Sequence, residues 1–214
     1  MTEIKICGLF RDCDIDYANE AEPDYIGFIL NFPKSHRNLS SQQARSLRSR
    51  LRQGIKAVGV FVNQPIDFVV ETACTVGLDV VQLHGQETER DIRTLQKELK
   101  LPVWKAFRVR SAADLADAKE SAADEILLDS GYGTGKAFDW SLMSSFERPF
   151  ILAGGLTPEL IGQAVSMMHP KMLDISSGVE TDRVKDREKM LRAVQKAHGE
   201  TSEPEKANAF SLRC

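Results

Sequence analysis

Two side chains in this sequence stand where acid–base chemistry would be placed, each at the end of a β-rich run: Cys7 and Asp129. Asp129 follows the apolar EILL and precedes SGYGTGKAFDW, whose three glycines in five residues suit a loop able to fold over a ligand. A carboxyl there can act as a general acid if partial burial raises its pKa toward neutrality. It could equally cap the loop. A buried cysteine at a strand end is usually a small, inert hydrophobe. Gly8, however, opens the mouth of the first run, and a thiol facing Lys5 or Lys105 could ionise and serve as a base. On the residues alone both readings of Cys7 stay open.

Further polar groups gather at other run ends. AGGLTP and SSGVE put Gly154, Gly155, Ser177 and Gly178 just ahead of expected helix starts. Exposed amides in such turns bind phosphate; the alternative is that the glycines only permit a tight turn. Arg37, in NFPKSHRNLS, can pair bidentately with a carboxylate, or be a surface arginine ahead of a helix. His84 suits a substrate hydrogen bond or a structural partner and is not assigned as the base. His36, His169 and His198 have no evident partner and are expected to be solvated. Cys13 and Cys74 fall in expected helices with no role beyond packing, and Arg45, Arg48, Arg50 and Arg52 form a solvated outer face.

The elements that must carry these groups are eight β-rich runs: 4–7, 24–30, 55–62, 79–84, 102–107, 124–129, 149–154 and 172–176. Their mainly apolar character suits strands buried on both faces. Between them Ala44, Leu47 and Leu51, and Ile92, Leu95 and Leu99, recur with helical spacing. Ser40 or Ser41 caps the second helix, Thr157-Pro158 opens the seventh, and the last runs from about Asp186 to Ala197 with Met190, Leu191 and Val194 inward. The expected fold is therefore α/β, a single-domain (β/α)8 TIM barrel over residues 1–198, whose active site lies at the C-terminal strand ends. An open doubly wound sheet is the rival, but GxGxxG and GxxxxGK[ST] are both missing. Residues 199–214 read as a polar, disordered tail ending in an exposed Cys214.

With 214 residues, 42% hydrophobic and 28% charged, the composition is that of an ordinary globular protein. A net charge of −3 gives no reason to expect a nucleic acid or an acidic membrane as partner. The beginning MTEIKICGLF lacks the marks of a signal peptide, and no run approaches a membrane span, so a cytoplasmic location is expected. The four cysteines have no CxxC spacing, so no metal is expected.

KICGL at 5–9, VGVFV at 58–62, VQLHG at 81–85, LLDSGYGTGKAFDW at 127–140, LAGGL at 152–156 and DISSGVE at 174–180 together make the chain resemble phosphoribosylanthranilate isomerase. The resemblance implies an enzyme of tryptophan biosynthesis that performs an Amadori rearrangement of N-(5-phosphoribosyl)anthranilate, without a cofactor, as a monomer or homodimer. It further implies Asp129 as general acid and Cys7 as general base. Arg37 would hold the anthranilate carboxylate, with His84 and Asp174 lining the pocket. One departure is visible: Ser35-His36-Arg37 stands where the family commonly has Ser-Pro-Arg. Another phosphate-binding barrel isomerase or epimerase, or a catalytically silent ligand-binding barrel, are the alternatives.

Overall fold

The computed structural model describes residues 1–131, 140–143 and 146–199. Eight parallel strands close into a barrel: β1 (Glu3–Cys7), β2 (Tyr25–Leu30), β4 (Lys56–Phe61), β5 (Val80–Leu83), β6 (Val103–Arg108), β7 (Glu125–Asp129), β8 (Phe150–Ala153) and β9 (Met172–Ile175). Closure comes from pairing of β1 with both β9 and β2. Helices α1 (Asp12–Ala21), α2 (Ser41–Arg48), α3 (Ile66–Val76), α4 (Glu89–Leu99), α5 (Ala112–Glu120), α6 (Ile161–Met168) and α7 (Arg187–His198) alternate with the strands. After β7 the described residues form only a 3-10 turn, Trp140–Met143.

Each strand presents alternate side chains to two different cores, which is what the near-continuous apolar runs encode. Ile4 and Ile6 of β1 face outward into the layer shared with the helices, together with Ile26, Phe28, Val81 and Leu83. The lumen holds a second cluster including Tyr25, Val58, Trp104, Leu127, Ile151 and Met172. The same alternation turns Lys5 and Cys7 inward, in register with Tyr25 and Gly27 of β2. Lys105, in register with the outward Leu83 and Ile126, faces away from the lumen and pairs with Glu87 at 2.9 Å. It is therefore removed as a neighbour of Cys7.

Other expectations are refined. Ser40 caps α2 by accepting from the Gln43 amide, and Asp186 caps α7. Thr157-Pro158 does not cap α6; it makes a separate turn closed by the Leu160 amide on Thr157 O, and the helix begins at Ile161. In α7, Met190 and Val194 are buried while Leu191 is only partly so. His198 is not merely solvated, because Nε2 lies 3.0 Å from Asp24 Oδ2, an oxygen that also accepts from the Ile4 amide. The arginines around α2 are likewise paired: Arg48 meets Asp79, Arg50 meets Asp12 and Asp16, and Arg52 meets Glu22. The glycine-rich segment 132–139 and the tail from 200 onward, including Cys214, lie outside the described residues.

Three small elements were not expected. A two-residue strand β3 (Asn38–Leu39) pairs with the end of β2, and a hairpin of β10 (Glu180–Thr181) and β11 (Val184–Lys185) follows β9. All three sit in loops beyond the C-terminal ends of barrel strands. They carry or flank Arg37, Glu180 and Lys185, side chains joined to one another by ion pairs.

Candidate active site

The strand ends enclose a cavity of about 240 Å³ whose wall includes Cys7, His84, Asp129, Gly154, Gly155, Asp174 and Ser177. Seven of the nine residues singled out from sequence thus meet in one space. Gly178 stands just behind the wall: a Cβ there would lie 1.8 Å from Leu156 O, so the turn after β9 is packed directly on the turn after β8. Arg37 is not on the wall. Its stem lies over Gly8, where an added Cβ would come within 2.4 Å of Arg37 Cδ.

Asp129, at the end of β7, receives the Gly131 amide on Oδ1 at 2.9 Å, and its Oδ2 lies 3.4 Å from His84 Nε2. His84 Nδ1 is in turn 3.2 Å from Gln82 Nε2, a side chain wholly buried in the lumen. With Gln82 donating to Nδ1, the proton of a neutral His84 sits on Nε2, facing Asp129. Burial favours the protonated form of Asp129. The His84 hydrogen bond, the Gly131 amide and the electrostatic pull of His84 and Arg108 outweigh it, leaving the carboxyl below its ordinary range. Partial burial therefore does not by itself raise this carboxyl toward neutrality.

Cys7 is buried at the mouth of β1. Burial pushes its thiol above the ordinary value and Asp174 adds to that, while Lys5 and Lys185 pull the other way. Burial and Asp174 thus oppose the depressed thiol expected from sequence, and the two lysines favour it. Asp174 accepts a 2.8 Å hydrogen bond from Lys5 on Oδ2, whereas its buried Oδ1 has no partner among the described residues. An acceptor left bare on the cavity wall suits a hydroxyl donor.

Gly154 and Gly155 both adopt left-handed backbone, φ +93° and +63°. Neither amide is used in a backbone hydrogen bond among the described residues. Gly154 must lack a side chain, since a Cβ would sit 2.2 Å from Ser130 Oγ and 2.7 Å from Asp129 Oδ1. Free amides in such a turn are suited to an anion. Arg37 is engaged instead with Glu180, its Nε and Nη2 donating at 2.6 and 2.7 Å. Glu180 also accepts from Lys185; burial alone would raise it, but these two cations hold its carboxyl at about 2. Sequence reading missed both residues. Glu180 ends the SSGVE motif, which was its only signal.

Among the described residues no group of three or more His, Cys, Asp or Glu could hold a metal ion, and no helix is long and apolar enough to cross a membrane.

Residues 4–196 match the family model described as N-(5'-phosphoribosyl)anthranilate (PRA) isomerase. The N-(5'-phosphoribosyl)anthranilate isomerase of Caldanaerobacter subterraneus subsp. tengcongensis is 43% identical, covering 93% of this chain and 99% of its own. The enzyme of that name from Endomicrobium trichonymphae is 44% identical over 91% and 98%. Among solved structures, phosphoribosyl anthranilate isomerase from Thermotoga maritima superposes with a TM-score of 0.84 at 34% identity, covering 93% of this chain and all of that one. A phosphoribosyl anthranilate isomerase in complex with reduced 1-(o-carboxyphenylamino)-1-deoxyribulose 5-phosphate gives 0.81 at 33% identity, with coverage of 93% and 100%. With the family model spanning nearly the whole barrel and these relatives matched end to end, the chain belongs to the N-(5'-phosphoribosyl)anthranilate isomerase family.

Proposed function

We propose that this chain converts N-(5-phosphoribosyl)anthranilate to 1-(2-carboxyphenylamino)-1-deoxyribulose 5-phosphate by an Amadori rearrangement, a step of tryptophan biosynthesis, with Asp129 as acid and Cys7 as base. The observation that carries the reading is that both side chains line one cavity with the free-amide turn at Gly154 and Gly155. The phosphate is held by that turn and by Ser177 and Gly178, and the anthranilate carboxylate by Arg37. A hydroxyl of the sugar donates to Asp174 Oδ1.

Asp129 protonates the ribose ring oxygen; the ring C–O bond breaks, and the anilino nitrogen supplies the electron pair that makes the iminium. Cys7 then takes the proton from the carbon bearing the 2-hydroxyl, and the C–H electrons flow toward that nitrogen to give the enolamine. Protonation at the first sugar carbon, with loss of the 2-hydroxyl proton to water, yields the ketone. The iminium makes the departing proton acidic, so a modest base suffices. Asp129 must first take up a proton, and two events push it that way: water is expelled from the cavity, and a substrate oxygen replaces the long His84 contact. Arg37 keeps Glu180 on its Nε and Nη2 edge and offers Nη1 to the substrate.

Generating phosphoribosylanthranilate in solution and following its fluorescence tests the proposal. Added protein is expected to accelerate the loss of signal with formation of the ketose phosphate. Folded protein that leaves the rate unchanged refutes it.

A further inference from the structure

Cys7 lies beside two buried groups of paired charges. Arg37 holds Glu180, and Glu180 Oε1 accepts from Lys185 Nζ at 2.8 Å. In the other group, Lys5 donates to Asp174 at 2.8 Å. The side chains of Lys5 and Lys185 are both inaccessible to solvent. The Cys7 sulfur lies close enough to both lysines that the charge of each acts on it. Gly27 of β2 makes room, because a Cβ there would be 2.8 Å from Cys7 Sγ and 3.1 Å from Lys5 Cε.

The charges of the two groups do not balance. Arg37, Lys185 and Lys5 are three cations, and Glu180 and Asp174 are two anions, so one positive charge is left over where water has little access. An uncompensated buried charge is costly, and one group acted on by both ammonium groups is able to supply the missing negative charge, the Cys7 thiol. The hydrogen-bond count agrees. Lys185 Nζ gives two of its three N–H bonds to Ser176 O and Glu180, at 2.9 and 2.8 Å, leaving one without a partner among the described residues.

We propose that Lys5 and Lys185 are positioning residues that hold Cys7 as a thiolate, the thiol proton passing to water before substrate fills the cavity. Asp174 of β9 opposes ionisation, His84 and Asp129 line the same cavity, and β2 sets Gly27 beside Cys7 and Tyr25 beside Lys5. The competing way to relieve the excess charge is for Lys185 to give up its own proton, the direction in which burial pushes it. The inference deepens the assignment of Cys7 as base and rests on that assignment for its catalytic consequence.

The test is the pH dependence of Cys7 alkylation by iodoacetamide in a Cys13→Ser, Cys74→Ser, Cys214→Ser background, alongside the pH profile of kcat/KM. Lys185→Met is expected to raise the alkylation midpoint by about one pH unit or more, so that alkylation at neutral pH slows about tenfold. Lys5→Met should do the same and Lys5→Arg should restore the midpoint. Lys185→Met leaves Glu180 paired with Arg37, so it serves as the folded variant if loss of Lys5 strands Asp174. A folded Lys185→Met protein with an unchanged midpoint means the lysine is neutral and overturns the proposal. A shifted midpoint together with a Cys7→Ser protein that still turns over upholds the thiolate but removes Cys7 from the reaction. An unshifted midpoint with an inactive Cys7→Ser protein overturns the thiolate and leaves the base assignment standing.

Discussion

Gly178→Ala separates the two turns assigned to the phosphate and should therefore weaken substrate binding more than folding. The added Cβ would lie 1.8 Å from Leu156 O, 2.8 Å from Leu156 C and 3.1 Å from Thr157 Cα. All three are backbone atoms, so no side-chain rotation relieves the clash. The backbone of Gly178 is not left-handed, which leaves sterics as the only cost. Overpacking of this kind costs about 1–3 kcal/mol. For a domain of this size that lowers Tm by about 2–12 °C. Moving the amides off the phosphate forfeits a charge-assisted hydrogen bond of about 1.5–3 kcal/mol, a rise in KM of roughly 10- to 150-fold with kcat much less affected. Gly162→Ala is the control: nothing lies within 4 Å of its would-be Cβ, it is exposed in α6, and alanine there should stabilise by about 0.4–1 kcal/mol. Steady-state kinetics and a thermal melt with and without inorganic phosphate read both effects. A Gly178→Ala protein with lowered Tm but wild-type KM and undiminished phosphate stabilisation would refute the phosphate assignment.

Glu180 links stability to pH. Its folded pKa of about 2 lies below the ~4.3 of an unfolded glutamate, so its contribution is fully present above ~4.3 and disappears as pH falls toward about 2. That contribution is roughly 3 kcal/mol, and the difference in urea stability between wild type and Glu180→Gln should shrink over the same window; a constant difference contradicts the pairing. Gly27→Ala, with its Cβ 2.8 Å from Cys7 Sγ, should depress kcat far more than Tm, because the sulfur is displaced within an otherwise intact barrel. Equal kcat in that variant and in wild type would show that the sulfur position is irrelevant.

The barrel was legible in the sequence because strands buried on both faces leave continuous apolar runs such as EILL and FILA. The elements that escaped, β3 and the β10–β11 hairpin, are two residues per strand and carry too little pattern to be seen. Cys7, Asp129 and the paired glycines could be singled out as candidates because strand ends are where barrels place chemistry, the role of Cys7 coming from the family resemblance. Glu180 could not be tied to Arg37 across 143 positions, and Lys185 looked like any charged loop residue. The ionisation states of Cys7 and Asp129 could not be read from the sequence for the same reason. They depend on Lys5, Lys185, His84 and the Gly131 amide, whose proximity only the closed barrel creates.

The division of labour across the cavity is tested most directly by the turnover of Cys7→Ser and Asp129→Asn on phosphoribosylanthranilate made in solution. Each is expected to lower kcat by about 100-fold or more, the range for a positioned base or acid, while phosphate still stabilises both proteins in a melt. Near-wild-type kcat in either variant would contradict the role given to that residue.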